Sequence, residues 1–197
     1  ADSSQILTFL LCKKSRKHIK VALTGDGGDE LFGGYNRHFL IYYLEKNMKL
    51  LGIKSFNNVL IQKLLSGSVN LIHPSLLSNF FAYSNDKYKK IKNILQFSSE
   101  NNLYQMLITN NNETEINSLL KNNLVRRSIL YGIKDYSFLS KIMLSDMKNY
   151  LPNDILVKID RSSMAFGLES RSPLLDLRVY DFAKKLPNNL RFKNFQG

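Results

Sequence analysis

The sequence predicts an α/β chain, mostly helical, with a short stretch of parallel sheet near its start. Three observations carry that expectation. Val21-Ala22-Leu23 is a brief apolar run that reads as a buried strand. A helical pattern precedes it and a glycine turn follows it, the cadence of a parallel sheet. Beyond residue 50 only helical periodicities recur, broken by Gly, Pro and Asn-rich links, and no further run reads as a strand.

Taken in order, Asp2-Ser3-Ser4 is a capping cluster before a helix over Gln5 to Lys17, with Ile6, Leu7, Leu10 and Leu11 on one side. Cys12 lies on this helix as a small core residue. Ile19, Val21 and Leu23 give the strand, and Thr24 to Gly28 the turn. Asp29 and Glu30 open a long helical pattern that runs to about Leu50, with Leu31, Tyr35, Phe39 and Tyr42 at 3–4 spacing. Further helices are expected over Ser55 to Leu65, Pro74 to Asn85, Lys87 to Leu95, Asn102 to Ile108 and Thr114 to Leu120, with loops such as Asn110-Asn111-Asn112 between them. Tyr136 to Tyr150 is apolar on one face through Phe138, Leu139, Ile142, Met143 and Met147. Leu151-Pro152 is expected to break that helix, and Asn153-Asp154 to cap a new one over Ile155 to Phe166, closed by Gly167. An extended link through Pro173 leads to Asp176, which caps a last helix over Leu177 to Leu186, ended by Pro187.

Composition limits the function classes. At 197 residues and 44% hydrophobic, the chain has room for one sizeable core or is a piece of something larger. The net charge of +12 would permit nucleic-acid binding, but the basic residues are scattered as pairs along helical patterns, with no long basic arm. A solvated surface with anionic small-molecule partners, and no nucleic acid, fits better. A single cysteine allows no internal disulfide and fits a reducing, cytoplasmic compartment. No apolar stretch approaches the roughly 18 residues that a membrane span needs, so no membrane partner is expected. His18, His38 and His73 have no ligand-like spacing, which argues against zinc. The chain opens at Ala1 without a Met and ends at Gly197 without a stop signal, and so reads as a fragment.

Two stretches are dense in chemistry. In Thr24-Gly25-Asp26-Gly27-Gly28-Asp29-Glu30, a strand, a glycine turn and a helix start point backbone N–H groups toward a ligand. The same turn carries three acids, which would repel a phosphate unless a divalent cation lay between them, so a magnesium–phosphate site is the simplest functional reading. The plain alternative is a helix cap, worth about 0.5–2 kcal/mol. Gly33 and Gly34 fall inside the helical pattern at a cost of about 1 kcal/mol each against Ala, as though something must approach the backbone there. In the second stretch, Leu151 to Asp176, the residues Asp154, Lys158 and Arg161 share one helical face. Lys158 and Arg161 read either as members of a surface pair or as groups directed at phosphates. Glu169 and Arg171, two apart in extended chain, share a side and read as a structural ion pair or as ligand contacts.

Together and in this order, the two stretches resemble the asparagine synthetase family of glutamine-dependent amidotransferases. Thr24 to Tyr35 follows the family pattern Ser/Thr-Gly-Asp/Glu-Gly-Gly/Ser-Asp-Glu-hydrophobic-Phe-Gly-Gly-Tyr, and Leu151 to Asp176 follows the second pattern, Leu-Pro-x-Asp through Pro-Leu/Phe-Leu-Asp, almost throughout. The resemblance implies part of an ATP-pyrophosphatase domain of the adenine-nucleotide alpha-hydrolase type, which is Rossmann-like. Residues 1–35 would hold the end of the sheet and the metal–phosphate loop, 36–150 a helical layer, and 151–186 the second active-site segment. It implies ATP and Mg2+, a carboxylate substrate (aspartate in the type enzyme) that is adenylated with loss of pyrophosphate, and ammonia from glutamine that converts the adenylate to an amide and AMP. A separate N-terminal glutaminase domain would be the partner, and a homodimer stays open. By the same resemblance Asp29 matches the magnesium-binding acid and Asp26 a proton acceptor near the attacking amine. Thr24, Gly25, Gly27 and Gly28 would form the pyrophosphate cradle. Lys158, Arg161 and Arg171 would face the departing pyrophosphate, with Glu169 orienting them. The family's Ser-Gly-Gly-x-Asp-Ser loop, its nucleophilic N-terminal Cys and a Lys expected just beyond Gly197 are absent, so this polypeptide alone is expected to be inactive. Two other readings stand beside this one: amidation of a sugar acid in surface-polysaccharide synthesis, and a non-catalytic basic helical module or inactive remnant.

Overall fold

A computed structural model describes residues 4–50, 99–109, 130 and 136–192. The helices expected over Ser55 to Leu65, Pro74 to Asn85, Lys87 to Leu95 and Thr114 to Leu120 lie outside the described residues. The chain divides into two compact units, one of residues 1–39 and 142–197, the other of residues 40–141.

The first unit begins with α1 (Ser4–Ser15), which packs against a later helix and buries Cys12. Phe9 meets Phe166 edge to face at 4.6 Å. The face expected to be buried is not: Ile6 and Leu7 are 67% and 71% exposed, and Leu10 and Leu11 are also open. Apolar residues lie on more than one side of α1, so its periodicity does not choose a face. After a turn comes β1 (Val21–Leu23). It is a strand, as its apolar run predicts, but not a buried one, with Leu23 73% exposed.

The turn after β1 leads into α2 (Gly28–Phe32). The sequence pattern suggested one helix from here to Leu50. Instead α2 stops at Gly33, whose φ of 82° is left-handed, and α3 (Asn36–Leu50) starts afresh. The close approach anticipated at the two glycines comes from the protein itself. A Cβ on Gly33 would strike the ring of Phe192, and one on Gly34 would strike the Asp29 carboxylate.

In the second unit, α4 (Glu100–Ile108) is capped by Ser99, whose hydroxyl accepts from Asn102 N at 3.2 Å, and it buries Leu103 and Tyr104. Lys141 pairs with Glu100 at 2.8 Å. Glu45 Oε1 accepts from the backbone N–H of Leu139 at 3.2 Å, and burial raises the Glu45 carboxyl above its ordinary range.

A helical run then passes without interruption from α5 (Phe138–Ser145) through a π-helical segment (Asp146–Ile155) into α6 (Leu156–Met164). Pro152 therefore does not break the chain here, and Asn153-Asp154 does not cap a new helix. Proline clashes with the carbonyl four residues back in an α-helix. The wider i→i+5 register relieves that clash, as in the bond from Leu156 N to Leu151 O. Asn153 Nδ2 donates instead to the Asn149 carbonyl at 2.8 Å.

Gly167 (φ 64°) closes this run and β2 (Glu169–Arg171) follows. The extended stretch that sequence alone left unassigned is thus a second strand. It runs parallel to β1 with Val21 opposite Glu169, Ala22 opposite Ser170 and Leu23 opposite Arg171. A 3-10 turn (Pro173–Leu175) leads to α7 (Leu177–Lys185), capped as anticipated by Asp176, which accepts from Arg178 N at 2.8 Å. Past Pro187 one more short turn, α8 (Asn188–Arg191), brings Phe192 onto Phe39 at 5.2 Å.

Candidate active site

Parallel pairing places the carboxyl ends of β1 and β2 side by side, and ligands in α/β sheets bind beyond such ends. The turn after β1 is fastened there. Thr24 N donates to Arg171 O at 2.8 Å, and Thr24 Oγ1 lies 2.8 Å from Ser172 Oγ. Leucines of the 3-10 turn press on the glycines: a Cβ on Gly27 would strike Leu175, and one on Gly28 would come within 3.0 Å of Leu174. At Gly27 the left-handed φ of 90° adds a second demand for glycine. Gly25 meets nothing within 4 Å on that side. Behind the turn lies an apolar cavity of about 280 Å³ that Leu31, Met147, Leu151, Leu174, Leu175 and Tyr180 help to line. Thr24, Gly25, Asp26, Gly27 and Gly28 are thus brought beside Arg171 from far along the chain.

The three acids of the turn have separate fates. No side chain caps α2, whose N-cap is Gly27, so the capping explanation does not account for them. Asp26 Oδ2 is buried with no hydrogen-bond partner among the described residues, a costly arrangement for a carboxylate oxygen. The Asp29 residue is exposed, with its carboxylate folded against Gly34. Glu30 does not join them: it is 1% exposed and accepts a hydrogen bond from Tyr35 Oη at 2.5 Å. Among the described residues no group of three acidic, His or Cys side chains is gathered in a metal-binding arrangement. Of the three turn acids, only Glu30 is drawn into a side-chain hydrogen bond among the described residues. The orphaned oxygen of Asp26 suits a cation or an N–H donor.

Behind the loop lies a polar cluster that sequence reasoning missed. His38 Nε2 donates to Asp146 Oδ2 at 2.7 Å, and Arg37 Nε donates to the same oxygen at 2.8 Å. The side chains of His38 and Asp146 are fully buried. The Arg37 guanidinium lies 4.0 Å from the Tyr35 ring centroid and 5.1 Å from that of Tyr150, and the two rings stand 5.7 Å apart. Burial, then the hydrogen bond to Glu30, hold the Tyr35 phenol far above its ordinary range, with Asp29 adding to the effect, so Tyr35 remains a donor. Burial and then Asp154 raise the Tyr150 phenol, while Arg37 and Lys158 pull it down. The tyrosine pair therefore feels Asp29 at one end and Lys158 at the other. One signal in the sequence could have exposed this cluster: Asp146 continues the buried stripe of Leu139, Ile142 and Met143 at helical spacing, where an acid is out of place.

The basic residues are less tightly organised. Lys158 Nζ donates to Ser4 Oγ on α1 at 2.8 Å. Arg161 is exposed on α6. Arg171 Nε donates to Glu169 Oε1 at 2.7 Å, with both side chains more than half exposed. The ion-pair reading of Glu169 and Arg171 is realised, and at the strand end that borders the acid loop.

The profile of the asparagine synthase family matches residues 1–197. Asparagine synthetase (glutamine-hydrolyzing) 1 of Bacillus subtilis strain 168 is 32% identical over 202 residues, which cover 98% of this chain and 29% of that protein. Proteins of Mycobacterium bovis and Mycobacterium tuberculosis H37Rv, provisionally given the same enzyme name, are each 27% identical over 204 residues, covering 95% of this chain and 27% of theirs. The chain thus spans less than a third of the length of these relatives. No solved structure matches it significantly. Among the described residues no helix is long and apolar enough to cross a membrane.

Proposed function

The chain belongs to the asparagine synthase family, and on that premise we propose that it supplies one side of the synthetase site of an ATP-dependent amidotransferase. In this reading a carboxylate, aspartate first among the choices, attacks the α-phosphorus of ATP. Its oxygen forms the new P–O bond as pyrophosphate leaves. Ammonia released from glutamine then attacks the acyl carbon, giving the amide and AMP. The observation that carries the proposal is the parallel β1–β2 pairing, which fastens the acid turn at Thr24 against Arg171 and Ser172.

Asp29 would hold Mg2+, which when bound would neutralise polyphosphate charge beside the carboxylates. Arg171, with Lys158 and Arg161 from α6, would stabilise the negative charge that grows on the leaving pyrophosphate. Asp26 would accept a proton from the amine, and its buried oxygen without a hydrogen-bond partner among the described residues supports that role. Glu169 orients Arg171 through their 2.7 Å contact. The names of the relatives, which describe glutamine hydrolysis, support a glutaminase domain in the same polypeptide as the ammonia source.

Carboxylate-dependent ATP–pyrophosphate exchange by the full-length protein is the test. Aspartate should stimulate exchange, and a product assay should then yield asparagine. Stimulation by a hexuronic acid alone would move the acceptor to sugar acids. Exchange with neither would overturn the adenylation reading.

A further inference from the structure

We propose that Arg37 and Asp146 are positioning residues for this site. Their buried ion pair, gripped by Tyr35 and Tyr150, holds the acid loop in register with the helix that carries Lys158 and Arg161. The inference rests on the function proposed above and extends it to residues that touch no substrate.

An unbroken path of contacts runs through one compact unit. Glu30 on α2 accepts from Tyr35, just past the Gly33-Gly34 turn. The Tyr35 ring lies under the Arg37 guanidinium at 4.0 Å. Arg37 donates to Asp146, and Tyr150, one turn further along the π segment, covers the guanidinium from another side at 5.1 Å. The same helical run continues without a break from Tyr150 to Lys158 and Arg161. The Arg37 guanidinium touches two rings set 76° apart while its Nε reaches a carboxylate, a set of contacts that the compact ammonium of lysine does not reproduce.

Two features set this pair apart from an incidental one. Its carboxylate is fully buried and shared with His38, so the acid has little freedom to rotate away. And the pair joins α3 to a π-helical segment, a rare conformation that is frequent at functional sites. Buried ion pairs add little net stability against an apolar replacement, and their best-attested use is to fix register. Register matters here because a displacement of about 1 Å at a reacting centre can cost about 100-fold in rate.

The test uses the full-length protein and the half-saturating concentration of magnesium pyrophosphate in carboxylate-dependent exchange. That quantity does not depend on how much of a sample is folded. Arg37→Lys and Asp146→Asn should each raise it about tenfold, and the double variant little further, because both break one clasp. Half-saturation within about twofold of wild type in both, whatever their melting temperatures, overturns the inference. A second measurement needs no variant. Magnesium pyrophosphate should slow amide hydrogen exchange at residues 146–150 of the wild-type protein as well as at 25–34. Protection confined to 25–34 also overturns it. Wild-type protein with neither pyrophosphate exchange nor protection anywhere refutes the function proposed above, a result distinct from either of these.

Discussion

Two arginine–carboxylate pairs of nearly equal length border this site, Arg37 with Asp146 at 2.8 Å and Arg171 with Glu169 at 2.7 Å. Their surroundings differ. Asp146 is fully buried and Arg37 is 17% exposed, whereas Glu169 and Arg171 are 54% and 64% exposed at the side chain. Water screens the second pair and leaves it weak. The first is largely shielded from water, so removing one partner costs more there. The comparison teaches that contact distance says little about what a pair does. The buried pair fixes geometry, while the exposed pair can release its arginine to a ligand at little cost.

The largest effect expected from this contrast is on stability. Asp146→Leu in the full-length protein should cost about 3–5 kcal/mol, because it removes the buried carboxylate that Arg37 and His38 share. Urea denaturation measures this, and a loss below about 1 kcal/mol would place Asp146 in the same class as Glu169. Gly33→Ala comes next, at about 1–3 kcal/mol, since alanine must adopt a left-handed φ and meet the Phe192 ring. The same denaturation series reads it.

Smaller still is a pH effect. Burial holds the His38 imidazole below its ordinary 6.5, against the opposing pull of Asp146. The unfolded chain therefore takes up a proton that the folded chain refuses, so this contribution is complete above that value and declines as pH falls below it. The urea midpoint should drop on acidification through that window, and the drop should be shallower in His38→Gln. An identical slope in both proteins would show that His38 titrates normally. The smallest stability effect is expected of Glu169→Ala, under about 1 kcal/mol. Arg171→Ala should be equally mild for folding yet weaken pyrophosphate binding about tenfold or more, the worth of a charged hydrogen bond. Calorimetric titration separates the two outcomes.

How much of this was legible depends on how local the cause is. The Thr24–Asp29 turn, the Asp176 cap and the Gly167 stop follow from glycine at positive φ and a carboxylate beside a free N–H, and each is written in a few adjacent residues. β2 was not legible, because Glu169-Ser170-Arg171 has no apolar alternation. It is a strand by virtue of its partner, β1, far away in sequence. Pro152 misleads for another reason: it forbids an α-helical bond, and the π register does without that bond. Glu30 reads as a third loop acid until Tyr35 draws it inward. Asp29, Arg171 and their neighbours were marked by motif, whereas Arg37, His38 and Asp146 were hidden because their meaning lies in a contact between helices.

The central claim is that the acid loop accepts polyphosphate only together with a shared magnesium ion, opposite arginine and lysine side chains from the second segment. Titrating pyrophosphate into the full-length protein tests it most directly, with and without Mg2+, in the wild type and in Asp29→Asn. The account predicts saturable binding by the wild type with Mg2+, and at least about tenfold weaker binding when either the ion or the Asp29 carboxylate is removed. Binding that is unchanged without magnesium, or unchanged in Asp29→Asn, would contradict it.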